Sequence, residues 1–390
     1  MLTFRADAER VGIGVMQRPA TMKVFSLVVL VTGLTLFCTG CRAGSDAGAQ
    51  ERSRRSFYES NPVLTDRAVV AWSTASPSKV GLDPKKLEAG AKQLAAHPRA
   101  RAFLVVRSGS LAWERYFHGA GPHESRNVHS ASKSLLGALV GIAIKEDELT
   151  GVDHLVAKPF GDLLPTAPDR RRTLTVEHLL TMTTGLSWRE DVTEYRIERR
   201  SNWVRAILHL RSVHPPGRKF HYSTGATHVL SAVLTRSTGE ATHVYARKRL
   251  LEPLGVTVDR WGCHDPQGYD SGGCNVYLTP RELARFGQLF AQGGKWEGRQ
   301  LVPAKWIEES WRARQKVDRR RSYGYLWWLF REGGHQVALA WGYGGQFVFV
   351  IPDLDLVAVV TTDTKGGFSG PKLDPIAFAR DFLVKAVVAK

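Results

Sequence analysis

The sequence contains no internal repeat, no collagen-like or Gln/Asn-rich tract, and no apolar run reaching the ~20 residues that span a bilayer. Solenoid and fibrous architectures are thereby excluded. Cysteine is scarce, with four in 390 residues. Cys38 and Cys41 lie near the N-terminus, while Cys263 and Cys274 share a Gly-rich stretch. His264 adjoins Cys263, but no CxxC pair or HExxH spacing accompanies them, so neither a metal nor a cofactor is expected. Acidic residues are also short, 37 against 54 lysines and arginines, for a formal charge of +17. The basic residues form only short clusters, at 170–172, 199–200 and 319–321, and no recognisable module gathers them. A nucleic-acid partner is therefore not expected, and the clusters read as solvated surface that is drawn to anionic surfaces.

What is present begins with a targeting pattern. Lys23 precedes Val24–Phe37, an apolar stretch of roughly 14 residues, which suits a signal segment and is too short to span. Residues 1–41 are read as that signal, and Cys41 is the candidate for lipidation, ordinary cleavage nearby being the alternative. The expected location is the bacterial periplasm or envelope, with membrane anchoring if Cys41 carries lipid. In such an oxidising compartment Cys263 and Cys274 are candidates for a disulfide, or else remain two thiols. Residues 42–64 are polar and Ser/Arg/Gly-rich, a linker, and 65–390 form the folded domain.

Within that domain the periodicity changes twice. Leu82–Leu94 has helical spacing, and Ala102–Ser108 and Leu111–Phe117 read as a hairpin around Gly109-Ser110. Helical patterns then dominate about residues 150–310, among them Ala226–Ser237, His243–Leu251 and Pro280–Gln292. Tyr323–Arg331, Gln336–Trp341, Gln346–Ile351 and Leu356–Thr362 are strand-like, and Pro375–Val388 reads as a closing helix. Strands at both ends around a helical middle predict an α/β fold of the α+β type. One antiparallel sheet would be built from both termini, flanked by helices and carrying an inserted helical region.

Ser130-Ala131-Ser132-Lys133 opens a strongly apolar helical run. Residues three apart share a helix face, so Lys133 reaches the Ser130 hydroxyl, and a serine needs such a partner to act as a nucleophile. The spacing alone is weak, because Ser76-Pro77-Ser78-Lys79 repeats it. That copy has no apolar helix behind it. For Ser130 taken by itself, an ordinary helix N-cap is the bland alternative. Two further segments follow. Phe220-His221-Tyr222-Ser223-Thr224-Gly225 precedes a helix, and Trp341-Gly342-Tyr343-Gly344-Gly345-Gln346 leads into a strand. A cation near Tyr222 would lower its phenol and make it a proton acceptor.

Taken in this order, the three segments resemble the serine β-lactamase and penicillin-binding superfamily, above all its class C-like branch, the family VIII carboxylesterases and the 6-aminohexanoate-dimer hydrolases. Leu179–Leu186, Leu251–Gly255 and Leu278–Gly287 are similar to the LLTMTSGL, EPLG and TPRDLARFG stretches found there, and the likeness covers about residues 65–365. The resemblance implies Ser130 as the acylated nucleophile, with Lys133 and Tyr222 as partners that share the role of base. Tyr343, Gly344, Gly345 and Gln346 would form the oxyanion and substrate-binding turn. Two departures matter. Thr224 stands where the YxN motif has Asn, and Tyr343 stands at the lysine of KTG, which pairs a substrate carboxylate. The implied substrate is a small carboxylic ester or amide rather than a β-lactam. Trp188 and Trp341 are candidates for an acyl pocket or for core.

Overall fold

Eight strands form one sheet in the order β2-β1-β8-β7-β6-β5-β4-β3, with every neighbouring pair antiparallel. The computed structural model describes residues 70–390 except 191, 259–260, 366–370 and 389–390. The expected signal segment with Cys41, and the linker 42–64, lie outside the described residues. The N-terminal hairpin supplies β1 (Ala100–Arg107) and β2 (Ser110–Tyr116). The C-terminal part supplies β3 (Gln315–Lys316), β4 (Ser322–Tyr323), β5 (Trp328–Glu332), β6 (His335–Gly342), β7 (Gln346–Ile351) and β8 (Leu356–Thr362). The two ends of the chain meet where β1 pairs with β8, from Ala102↔Thr361 to Arg107↔Leu356.

Both faces of the sheet are covered, and the strand period of two divides its residues between two cores. Leu104, Val106, Val348, Val350, Val357 and Val359 point to the larger core beneath the helices. Phe103, Val105, Phe347, Phe349, Ala358 and Val360 point to the other. That second core is closed by helix α1 (Pro84–Ala95) and the C-terminal segment. Asp83 caps α1 by accepting from Lys85 N at 2.8 Å, and Leu87 and Leu94 are fully buried. Each such leucine stabilises the fold by roughly 2 kcal/mol.

The helical region carries α2 (Ser132–Lys145), α3 (Val176–Leu180), α4 (Val192–Glu198), α5 (Trp203–Leu208), α6 (Thr224–Thr238) and α7 (Pro280–Ala291). Their ends follow local chemistry. Ser223 Oγ accepts from Ala226 N at 3.1 Å to start α6, and Gly239 ends it at φ +69°. Thr279 and Glu282 form a reciprocal capping box on α7.

Three expectations need correcting. The run Tyr323–Arg331 is two strands, β4 and β5. Its break at Leu326, φ +60°, is pinned by Leu326 N to Leu180 O at 3.1 Å and by Ser134 Oγ to Leu326 O at 2.8 Å. These bonds fasten the sheet to α2 and α3 at the cost of strand continuity. The closing helix is α-helical only over Pro375–Phe378, then widens to a π turn at Ala379–Leu383 and tightens to 3-10 at Val384–Ala386. The pattern at His243–Leu251 is likewise α-helical over Thr242–Ala246 and π over Arg247–Leu251.

Candidate active site

Ser130 sits in a 3-10 turn, His129–Ala131, that runs directly into α2. His129 adopts φ +48°, an unfavourable value for a residue with a side chain. Asn127 holds it there. Its Oδ1 accepts from His129 N at 2.8 Å and from Asn275 N at 3.1 Å, and its Nδ2 donates to Asn275 Oδ1 at 2.9 Å. Burial, with Lys133 alongside, holds the His129 imidazole down to about 3, so it is neutral.

Lys133 is only 1% exposed. Its Nζ donates to Ser130 Oγ at 2.8 Å, to Gly273 O at 3.0 Å and to Thr224 Oγ1 at 3.1 Å. Three acceptors thus match the three protons of an ammonium. Burial works to lower the Lys133 pKa, but Tyr222, Glu190, Cys274 and Glu194 outweigh it and leave the group above its ordinary value. Gly273 allows this approach, since a Cβ there would stand 2.7 Å from Nζ.

Tyr222 enters from the loop before α6. Its ring stacks on Trp328, centroids 5.7 Å apart at 26°, and meets Tyr323 edge-on at 6.4 Å. Lys133 Nζ lies 5.2 Å from the centroid of its ring, and Tyr222 and Ser130 line the same cavity. Burial raises the phenol pKa more than the neighbouring Lys133 and Ser130 lower it. The expectation of a lowered phenol is therefore overturned: desolvation outweighs the neighbouring cation. At neutral pH the pair rests as ammonium and neutral phenol.

Ser130, Tyr222 and Thr224 line a cavity of about 330 Å³, together with Glu190, Glu194, Trp341 and Tyr343. Among the described residues lining it, none is Lys or Arg. Tyr343 packs edge-on against His129 at 5.6 Å. Gly342 also lines the cavity and must lack a side chain, because a Cβ there would overlap the Val128 carbonyl. Gly344, Gly345 and Gln346 do not line it. The two glycines turn the chain at φ +79° and +108°, and Gln346 Nε2 donates to Thr362 O at 2.9 Å.

Sequence reasoning missed Glu190. Its Oε1 accepts from Trp188 Nε1 at 2.7 Å and from Thr224 N at 2.6 Å, and its Oε2 accepts from Thr224 Oγ1 at 2.9 Å. Trp188 is buried core beside the site, whereas Trp341 lines the cavity. Cys263 and Cys274 are not joined in this structure, and the Cys274 sulfur is engaged by Ser271 Oγ at 3.2 Å and by Asn275 Nδ2 at 3.5 Å. The copy at Ser76–Lys79 is an exposed 3-10 turn remote in sequence from these contacts.

Residues 91–380 match the family model described as Beta-lactamase. The 6-aminohexanoate-dimer hydrolase of Paenarthrobacter ureafaciens is 29% identical over 230 residues, covering 53% of this chain and 56% of that protein. The chain thus spans little more than half the length of that relative. Among solved structures, a chain from Bacillus anthracis provisionally named a 6-aminohexanoate-dimer hydrolase superposes with TM-score 0.63 at 19% identity, over 83% of this chain and 91% of that one. EstCE1, a hydrolase with promiscuous acyltransferase activity, gives 0.61 at 16%, over 72% and 93%. At these identities the structural likeness establishes the fold.

Proposed function

Because the chain belongs to the beta-lactamase family, we propose that it is a serine hydrolase cleaving small carboxylic esters or amides through an acyl-enzyme on Ser130. Ser130 Oγ attacks the carbonyl carbon, and its proton passes to the coupled pair of Lys133 and Tyr222. Collapse of the tetrahedral intermediate expels the alcohol or amine, which takes its proton from Tyr222. Water then hydrolyses the acyl-enzyme by the reverse relay. The backbone N–H groups of Ser130 and of Tyr343, which line the cavity where Gln346 does not, are proposed as oxyanion donors, each worth about 3 kcal/mol of transition-state stabilisation.

The observation that carries the substrate class is the charge of the cavity wall. It presents Glu190 and Glu194 and no Lys or Arg. A β-lactam brings a carboxylate that would face two acids, with no cation on the wall and the buried Lys133 ammonium already holding three acceptors, whereas a neutral ester or amide meets no such penalty. The name of the Paenarthrobacter relative, which gives it a 6-aminohexanoate dimer, agrees with an amide as the bond cleaved.

Purified protein is expected to turn over short-chain p-nitrophenyl esters, and Ser130→Ala to abolish that turnover and labelling by a fluorophosphonate. Undiminished turnover in Ser130→Ala sinks the proposal, and nitrocefin hydrolysis faster than ester hydrolysis reverses the substrate class. Export, and lipidation at Cys41, are proposed on the sequence of residues 1–41 alone. Cell fractionation with a Cys41→Ser comparison tests both.

A further inference from the structure

Helix α4 and the residues around it sort their charges by face. Glu190, Glu194 and Glu198 follow one another at intervals of four, and Glu190 and Glu194 line the catalytic cavity. Arg189, Arg196 and Arg200 take the spacing of another face and line a separate cavity of about 950 Å³. Arg205, from α5, joins them. Between these cations Leu210 and the exposed Val213 offer apolar surface, over the buried Trp188 and Ile197.

Among the described residues, none of the four guanidiniums has an ion-pair partner. Elsewhere several arginines close to the body of the fold find acceptors, carboxylates in Arg126–Glu124, Arg171–Asp169 and Arg281–Glu114 and backbone carbonyls at Arg107 and Arg285. Four like charges around one concavity repel each other, and an anion bound between them relieves that repulsion. Guanidinium forks match the oxygens of a phosphate, while an apolar floor offers nothing to a bare ion. Solvated surface arginines alone account for neither the concavity nor its floor.

We propose that this cavity is a binding site for a phosphate-bearing amphiphile, with the phosphate held by Arg189, Arg196, Arg200 and Arg205 and the alkyl chain laid on Leu210 and Val213. The site is separate from the catalytic cavity, and its occupancy is measured without turnover.

Isothermal titration of the full chain with dodecyl phosphate, below its micellar concentration, tests the proposal. Wild type is expected to bind it, and Arg196→Ala/Arg200→Ala to weaken binding by roughly tenfold or more, since charge-assisted pairs are the strong ones. Lys85→Ala/Lys86→Ala removes the same charge from the exposed side of α1 and is expected to leave affinity unchanged. Circular dichroism and Tm check that both variants fold. Equal losses in the two variants would reduce the effect to net charge and overturn the proposal. Dodecyl maltoside or inorganic phosphate binding as tightly as dodecyl phosphate would overturn it as well. Cosedimentation with phosphatidylglycerol vesicles separates the sources: capture of wild type but not of Arg196→Ala/Arg200→Ala assigns a membrane lipid, and binding of dodecyl phosphate without capture assigns a soluble amphiphile. Absence of both kinds of binding refutes the site.

Discussion

Thr224 is tied to Glu190 twice, through its backbone N–H at 2.6 Å and its hydroxyl at 2.9 Å. The same hydroxyl accepts from Lys133 Nζ, so Glu190 stands two hydrogen bonds from the partner of Ser130. The departure from Asn at this position is thus filled: a hydroxyl accepts from the ammonium and passes the charge of a carboxylate to it. Glu190 acts through Lys133 as a positioning residue, and it raises both Lys133 and Tyr222. In Glu190→Gln both groups are expected to fall toward their ordinary values. The pH profile of kcat/KM would then shift toward lower pH, and kcat would drop by about 10- to 100-fold. A profile with an unmoved limb would refute this coupling.

The pH dependence of the wild type follows from the same two groups. Burial lifts Tyr222, and Tyr222, Glu190, Cys274 and Glu194 carry Lys133 up against its burial. Both are therefore protonated at neutral pH, and the pair accepts the Ser130 proton only after it has lost one. For groups whose pKa is raised, the active form grows as pH rises. Steady-state kcat/KM for a non-ionising ester is expected to keep climbing above pH 7, after correction for background hydrolysis. A plateau already reached below pH 7 would show that one of the pair titrates lower than its surroundings imply.

The sheet was legible in the sequence because its strands obey a period of two. β7 and β8 fall at Gln346–Ile351 and Leu356–Thr362 as read, and β1 within two residues. Ser130 and Lys133 were legible because their meeting needs only one helical turn. Glu190 was not, since its contact to Thr224 bridges 34 residues and no periodic pattern marks it. The direction of the Tyr222 shift was not legible either. Sequence placed a cation beside the phenol, but the opposing cost of burial depends on Trp328 and Tyr323, which only the folded chain brings against it. Short elements such as α4 also escaped, because seven residues give too little periodicity.

Gly273 gives a stability test that is also a catalytic one. A methyl group there would stand 2.7 Å from Lys133 Nζ and 2.8 Å from Thr227 Oγ1, both well inside contact distance. Its carbonyl also accepts from Lys133. Gly273→Ala is expected to cost about 1–3 kcal/mol, as overpacking does. It should also lower kcat by moving Nζ from Ser130. Thermal unfolding reads the first effect and ester turnover the second. A variant with wild-type values in both would mean that the loop yields without disturbing Lys133.

Cys274 lines the catalytic cavity, yet its chemistry is expected to be inert. Burial, with Glu194 nearby, pushes its thiol up to about 12 from an ordinary 9.0. At pH 8 the thiolate fraction then falls by roughly a hundredfold or more relative to an ordinary cysteine, and alkylation requires the thiolate. Iodoacetamide applied to the native protein, followed by peptide mapping, is expected to leave Cys274 unmodified until the chain is unfolded. Non-reducing digestion of the same sample should release the Cys263 and Cys274 peptides separately, because the two sulfurs are not joined in this structure. Rapid native alkylation of Cys274 would mean that the cavity admits water and reagent to a sulfur the fold otherwise holds buried. In that case a second nucleophile would compete with Ser130 for acylating reagents, and labelling with a fluorophosphonate would persist in Ser130→Ala.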